Sequence, residues 1–238
     1  MKRVFATAVV AIALMGSAVT AAPHSLHYLP VADFEPSSIL PAPPARGSIQ
    51  EKAELGALHA MIAGAAPQRI EQARWDDAHE TPALFDGTLG ITLESLPLTW
   101  ALLREVQEEG DAAAGAAKAH FERTRPYGID PTLPVCVASP IGKPAKPAKS
   151  YPSGHATLGY STGFVLAHLL AGRASAILDR AADYGASREY CGVHFPSDVE
   201  ASHVLGTLIA AKLLTQPAFR AKFDAAHAEL VAAHVAGA

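Results

Sequence analysis

SYPSGHATLGYSTGFVLAHLLA, residues 150–171, is a polar turn followed by an apolar run with no Asp, Glu, Lys or Arg. The run from 156 to 171 falls short of the ~20 residues that a spanning helix needs. It also carries Ser161 and His168. It therefore reads as a helix over 155–171, buried at the centre of a bundle. Around it the chain is rich in alanine and poor in β-branched runs, so helix dominates the expectation. Further helices are predicted over 49–65, 67–79, 95–109, 111–123, 174–189 and 196–213, with a last one starting near Pro217. Pro67 and Pro97 stand at first-turn positions, and Gly110-Asp111 reads as a stop followed by an N-cap. The expected fold is an all-α, single-domain helical bundle with a central apolar helix.

Both ends of the first fifty residues differ from that bundle. Lys2 and Arg3, an apolar stretch from Val4 to Met15, and Val19-Thr20-Ala21 form a secretory signal peptide over residues 1–21, with the cut after Ala21. A retained membrane anchor is the alternative. Pro30, Pro36, Pro41, Pro43 and Pro44 then make residues 22–48 an extended Pro-rich arm, leaving 49–238 as the helical domain. Loss of Lys2 and Arg3 takes the formal charge from -4 to -6, which argues against nucleic acid and against an anionic membrane surface as partners. Export places the chain in the periplasm. Two cysteines, Cys136 and Cys191, exclude a cysteine zinc cage and a CxxC redox pair. In an exported chain such a pair reads as one disulfide, whose loop closure stabilises by roughly 4 kcal/mol. Two separate buried thiols are the other reading.

Three clusters carry chemistry. Lys118 and Arg125-Pro126 are seven apart, a spacing that puts two cations on one helix face. Pro152-Ser153-Gly154-His155 lies where the long loop 127–151 meets the central helix. Free N–H groups at a helix start bind anions, Gly154 lets the backbone come close, and Ser153 adds a hydroxyl. Ser187-Arg188, His194 and Asp198 sit around the next helix junction. There a carboxylate one turn from an imidazole fixes its tautomer and frees the other nitrogen for attack. Taken singly, each cluster also fits a bland role: a solvated basic face, a plain N-cap, a packed loop histidine. Together they follow the pattern K-x6-RP, PSGH, SR-x5-H-x3-D, with gaps of 25 and 31 residues. Eleven fixed residues at about one chance in twenty each leave chance odds on the order of one in a billion.

That pattern resembles the type 2 phosphatidic acid phosphatase superfamily, and SYPSGH, YGASREYCGVHFPSDV (184–199) and QPAF (216–219) resemble its bacterial class A non-specific acid phosphatases. The resemblance covers about residues 95–225. Ala156 departs from it, standing where those phosphatases often carry threonine. The resemblance implies a broad-range phosphate monoester hydrolase working through a phosphohistidine on His194, with phosphotransfer as a side activity. Asp198 would orient His194, and His155 would protonate the leaving alcohol. Lys118, Arg125, Ser153, Gly154 and Arg188 would hold the phosphoryl oxygens, with no metal and no other cofactor. It also implies pairing of Cys136 with Cys191, and a homodimer. A lipid phosphatase or a vanadate-dependent haloperoxidase of the same superfamily is the alternative. A Ser-His-Asp hydrolase on Ser153 lacks the strand–turn–helix elbow that such a nucleophile needs. Among the remaining residues, Trp75 and Trp100 read as core. Tyr127 and Tyr151 are candidates for the substrate mouth, and His59, His79, His168 and His203 have no partner evident in the sequence.

Overall fold

The computed structural model describes residues 26–136, 149–235 and 237. The expected leader and its cut after Ala21 lie outside these residues, as does the middle of the 127–151 loop. Among the described residues there is no strand. The helices are α1 (Pro36–Ile39), α2 (Ile49–Ala63), α3 (Pro67–Ala78), α4 (Asp86–Leu89), α5 (Pro97–Phe121), α6 (Pro126–Ile129), α7 (Gly154–Leu169), α8 (Ala174–Tyr190), α9 (Pro196–Leu213) and α10 (Pro217–Ala232).

Helix α7 is the centre, packed against α5, α8 and α9. Ser153 caps it by accepting from the Ala156 amide at 3.3 Å. Leu158, Val165, Leu166 and Leu169 are buried, each stabilising by roughly 1.5–3 kcal/mol relative to exposure. Its buried hydroxyls turn back on their own helix. Thr157 Oγ1 donates to the Ser153 carbonyl at 2.8 Å, and Thr162 Oγ1 donates to that of Leu158 at 2.6 Å. A polar group satisfied in this way can sit in the core without a partner from elsewhere.

The structure corrects the expectation of two helices over 95–109 and 111–123. Both belong to α5, which runs through Gly110 without a break. Gly110 serves close approach, not termination: a β-carbon there would lie 3.4 Å from Thr157 Cγ2 and 3.5 Å from Ser161 Oγ, on α7. The crossing of α7 with α9 shows the same economy. A β-carbon at Gly206 of α9 would lie 2.9 Å from the Thr157 carbonyl oxygen and 3.0 Å from the Ser161 amide nitrogen. Backbone cannot yield as a side-chain tip can. Gly206→Ala is expected to destabilise by about 1–3 kcal/mol, read as a lower urea midpoint at unchanged slope.

At its start α5 is capped by another helix. Glu229 of α10 accepts from the amides of Leu98 at 3.1 Å and Thr99 at 2.7 Å, taking up orphan donors and opposing the positive end of the helix dipole. The arm is less extended than its prolines implied. Residues 31–34 form a 3₁₀ turn and α1 follows, because Leu29, Phe34 and Leu40 bury themselves on the core. Glu109 fastens the arm by accepting from the amides of His27 and Tyr28. Cys136 and Cys191 are joined in a disulfide, with Cα atoms 4.6 Å apart.

Candidate active site

All three clusters converge at one end of the bundle. Lys118 lies on the last turn of α5, Arg125 caps α6, and Ser153, Gly154 and His155 open α7. Arg188 lies on the last turn of α8, His194 in the turn that follows, and Asp198 on the first turn of α9. Lys118 and Arg125 do not share a helix face as the spacing of seven implied. Helix α5 stops at Phe121, Glu122 turns left-handed, and Arg125 reaches the site from the start of the next element. There its Nη1 donates to the Val193 carbonyl at 3.4 Å, next to His194.

His194 is buried, with Nδ1 3.3 Å from Asp198 Oδ2. A carboxylate at Nδ1 places the proton there and leaves the Nε2 lone pair free. Burial holds the His194 imidazole well below its ordinary value, and the positive charges of Arg125, Arg188 and Lys118 press the same way, followed by that of His155. The ring is therefore neutral through mildly acid pH. The turn that presents it is tightly set. Gly192 has φ of 67°, a left-handed conformation, and a β-carbon there would collide with the Pro134 carbonyl oxygen. One residue earlier, the disulfide ties this turn to Cys136.

The candidate pocket is lined by donors. Lys118 Nζ lies against Gly154, 3.0 Å from where a β-carbon would stand. Burial, reinforced by Arg125, brings Lys118 down to about 8 despite the opposing charge of Glu80. Arg188 is buried, and its Nε and Nη1 have no hydrogen-bond acceptor among the described residues. Asp77 Oδ1 pairs with Nη1 at 2.7 Å, but off the N–H direction, so the charge is balanced while the donors stay unused. Buried guanidinium donors directed at no oxygen of the described residues mark a place for a planar or tetrahedral oxyanion. Ser153 is fixed by its neighbours: its amide donates to Ser202 Oγ at 2.8 Å, and that hydroxyl donates to the Asp198 carbonyl at 2.7 Å.

The family model described as the PAP2 superfamily matches residues 108–222. A non-specific acid phosphatase of Providencia stuartii is 31% identical over 226 residues, covering 90% of this chain and 88% of its own. The chain belongs to the PAP2 superfamily. An acid phosphatase of Zymomonas mobilis is 32% identical over 60% of this chain, and a non-specific acid phosphatase of Salmonella typhimurium 33% identical over 59%. The match spans about half the length of those two relatives, 53% and 56%. A transmembrane PAP2 type phosphatidylglycerolphosphate phosphatase from Bacillus subtilis is similar in structure, with TM-score 0.55 at 20% identity, over 76% of this chain and 90% of its own. That likeness concerns the fold. Among the described residues of this PAP2 chain, no helix is long and apolar enough to cross a membrane.

Several parts of the candidate site were not singled out from the sequence. Arg123 is buried, and its Nη1 donates to Asp198 Oδ1 and to Ser197 Oγ, both at 2.6 Å. Its Nη2 pairs with Glu54 at 2.8 Å, and the guanidinium lies over the Phe195 ring, 3.9 Å from its centre. Ser150 Oγ donates to Asp198 Oδ2 at 2.6 Å. Asp77 and Glu80, at and just beyond the end of α3, bring two carboxylates to Arg188 and His155. Ser187, within the motif, does not face the pocket, because its hydroxyl donates to Asp76 and accepts from Arg69. Tyr151 is buried and donates to the Pro41 carbonyl at 2.7 Å, so it anchors the arm and does not line a mouth. Trp75, expected in the core, is 42% exposed and stacks on His79. His59, partnerless in the sequence, pairs with Asp130 at 2.8 Å.

Proposed function

We propose that this protein is an acid phosphatase that hydrolyses phosphate monoesters through a phosphohistidine on His194. The observation that carries this reading is the neutral, buried imidazole, oriented by a carboxylate and surrounded by Lys118, Arg125 and Arg188. His194 Nε2 attacks phosphorus, the ester P–O bond breaks, and the leaving oxygen takes a proton from His155. Then His155 takes a proton from water, the hydroxide attacks phosphorus, the P–N bond breaks, and His194 returns neutral. Lys118, both arginines, Ser153 and the Gly154 amide hold the equatorial oxygens as charge spreads over them. Three fixed cations supply the charge that a metal supplies elsewhere. An alcohol in place of water would give phosphotransfer. The proposal extends to an exported, periplasmic homodimer with a leader over 1–21, an arm over 22–48 and a catalytic domain over 49–238.

Rapid quenching of a labelled ester is expected to trap label that is acid-labile and stable to base, on His194, with turnover unaffected by EDTA. Loss of turnover on chelation, or label on serine, ends this reading. The alkaline side has a cause of its own. Lys118, at about 8, loses its charge as pH rises through that value, so kcat/KM is expected to fall above pH about 8 in the free enzyme. Lys118→Arg stays charged, and its kcat/KM profile should lack that break, whatever its absolute rate.

A further inference from the structure

His155 has an acceptor at each ring nitrogen. The Asp77 carbonyl oxygen is 3.2 Å from Nε2, and Glu80 Oε1 is 2.8 Å from Nδ1. These two contacts differ in kind. The first is main chain, held by the end of α3, and the ring is further steadied by lying near-parallel to Tyr184 with centroids 6.0 Å apart. The second is a side chain 47% exposed, able to swing away. Nδ1 is therefore the nitrogen that can change partners. Glu80 Oε1 also lies over the helix start that holds the anion, 3.6 Å from where a Gly154 β-carbon would stand, on the side where Lys118 Nζ sits at 3.0 Å.

In an in-line displacement the nucleophile and the leaving oxygen stand on opposite sides of phosphorus. The nitrogen that protonates the leaving oxygen thus marks the leaving-group side, and Glu80 touches that nitrogen. We propose that Glu80 is the specificity-determining residue on the leaving-group side, favouring phosphate esters of neutral or cationic alcohols over those whose alcohol carries a negative charge. Substrate entry displaces the carboxylate from Nδ1 towards the mouth, where it faces the departing group. Burial alone would raise the Glu80 carboxyl, but the hydrogen bond and charge of His155, with Arg188 and Lys118, hold it below the ordinary carboxylate range. It is accordingly ionised at the pH where the enzyme is proposed to work. Among the described residues the hydrogen bond to His155 is the one its side chain makes, while Gln107 fixes only its main chain, donating to the Glu80 carbonyl at 3.1 Å.

This inference rests on the phosphatase reading, and the test separates the two. Glu80→Gln keeps the shape and an acceptor oxygen for His155 while removing the charge. Three esters are compared at pH 6 and low salt: glycerol 3-phosphate, 3-phosphoglycerate and 2-aminoethyl phosphate. The first two differ only by a hydroxymethyl group against a carboxylate. Wild type is expected to prefer glycerol 3-phosphate over 3-phosphoglycerate by about tenfold or more in kcat/KM, a preference that shrinks with salt. In Glu80→Gln that ratio should fall below about threefold, and the advantage of 2-aminoethyl phosphate should shrink with it. A ratio that does not change in the variant, or equal losses on all three esters, overturns the inference, because holding His155 alone would treat them alike. Wild type that hydrolyses none of them defeats the phosphatase reading and this inference together.

Discussion

His194→Ala is expected to lose ester turnover by about a thousandfold or more, with no trapped label, because it removes the proposed nucleophile. Its fold should survive. The ring it removes is neutral, and among the described residues its side-chain partner is an Asp198 that keeps Arg123, Ser150 and the Phe195 amide. A near-native melting temperature with absent activity is therefore the outcome to look for. His155→Ala is the informative contrast. With an alkyl ester the leaving oxygen needs a proton, and loss of the acid is expected to cost about 10²–10⁴-fold. With p-nitrophenyl phosphate the leaving group departs unaided, so phosphorylation of His194 persists while its hydrolysis, which still needs a base, slows. The trapped fraction should then rise in His155→Ala and vanish in His194→Ala. Equal losses on both esters in the rate at which His194 is labelled, read in a single turnover, would show that His155 does not act on the leaving group.

The pattern K-x6-RP, PSGH, SR-x5-H-x3-D was legible because each cluster lies at a helix end, where a few neighbouring residues set the local geometry. Ser153 caps α7 and Asp198 accepts from the Phe195 amide at 2.9 Å. Both are short-range events that spacing encodes. The groups that hold those residues in place come from far away in the chain. Arg123 reaches Asp198 across 75 positions, Glu54 reaches Arg123 across 69, and Glu80 reaches His155 from the other side of α5. No local period reports such pairings. Arg123 did leave one trace, as the third cation among Lys118, Arg123 and Arg125 on a stretch that reads as a solvated face. Gly110 misled for a related reason. A glycine at a helix stop and a glycine at a helix crossing look identical in one dimension, and only the neighbouring α7 distinguishes them. The Pro-rich arm misled more mildly, since prolines forbid sheet pairing but say nothing about Leu29, Phe34 and Leu40 finding the core.

Arg123→Met is expected to act on stability and on chemistry at once. The Arg123 guanidinium contacts both Glu54 and Asp198. Removing one partner of a buried ion pair while leaving the other costs about 3–5 kcal/mol, which should appear as a lower midpoint of urea unfolding. The chemical effect follows from Asp198. Burial pushes its carboxyl upward, while Arg123, Ser150 and the Phe195 amide pull it back. The upward push already prevails with Arg123 present, and without Arg123 it grows, so Asp198 binds a proton at a higher pH than before. A protonated Asp198 no longer accepts the Nδ1–H of His194, so the nucleophile loses its tautomer and its aim. In the kcat profile, the acid limb of Arg123→Met is thus expected to move to higher pH, while the alkaline limb stays in place. Glu189 does not restore the balance: burial, then Glu54 and Asp198, raise it to about 7, so it is neutral on the acid side and adds a negative charge only above. Arg123→Lys keeps the charge but cannot bond Asp198, Ser197 and Glu54 together, so it should recover the acid limb more fully than the stability. An acid limb that does not move in Arg123→Met, with stability lost as expected, would mean that Arg123 supports the fold and does not tune the carboxylate behind His194.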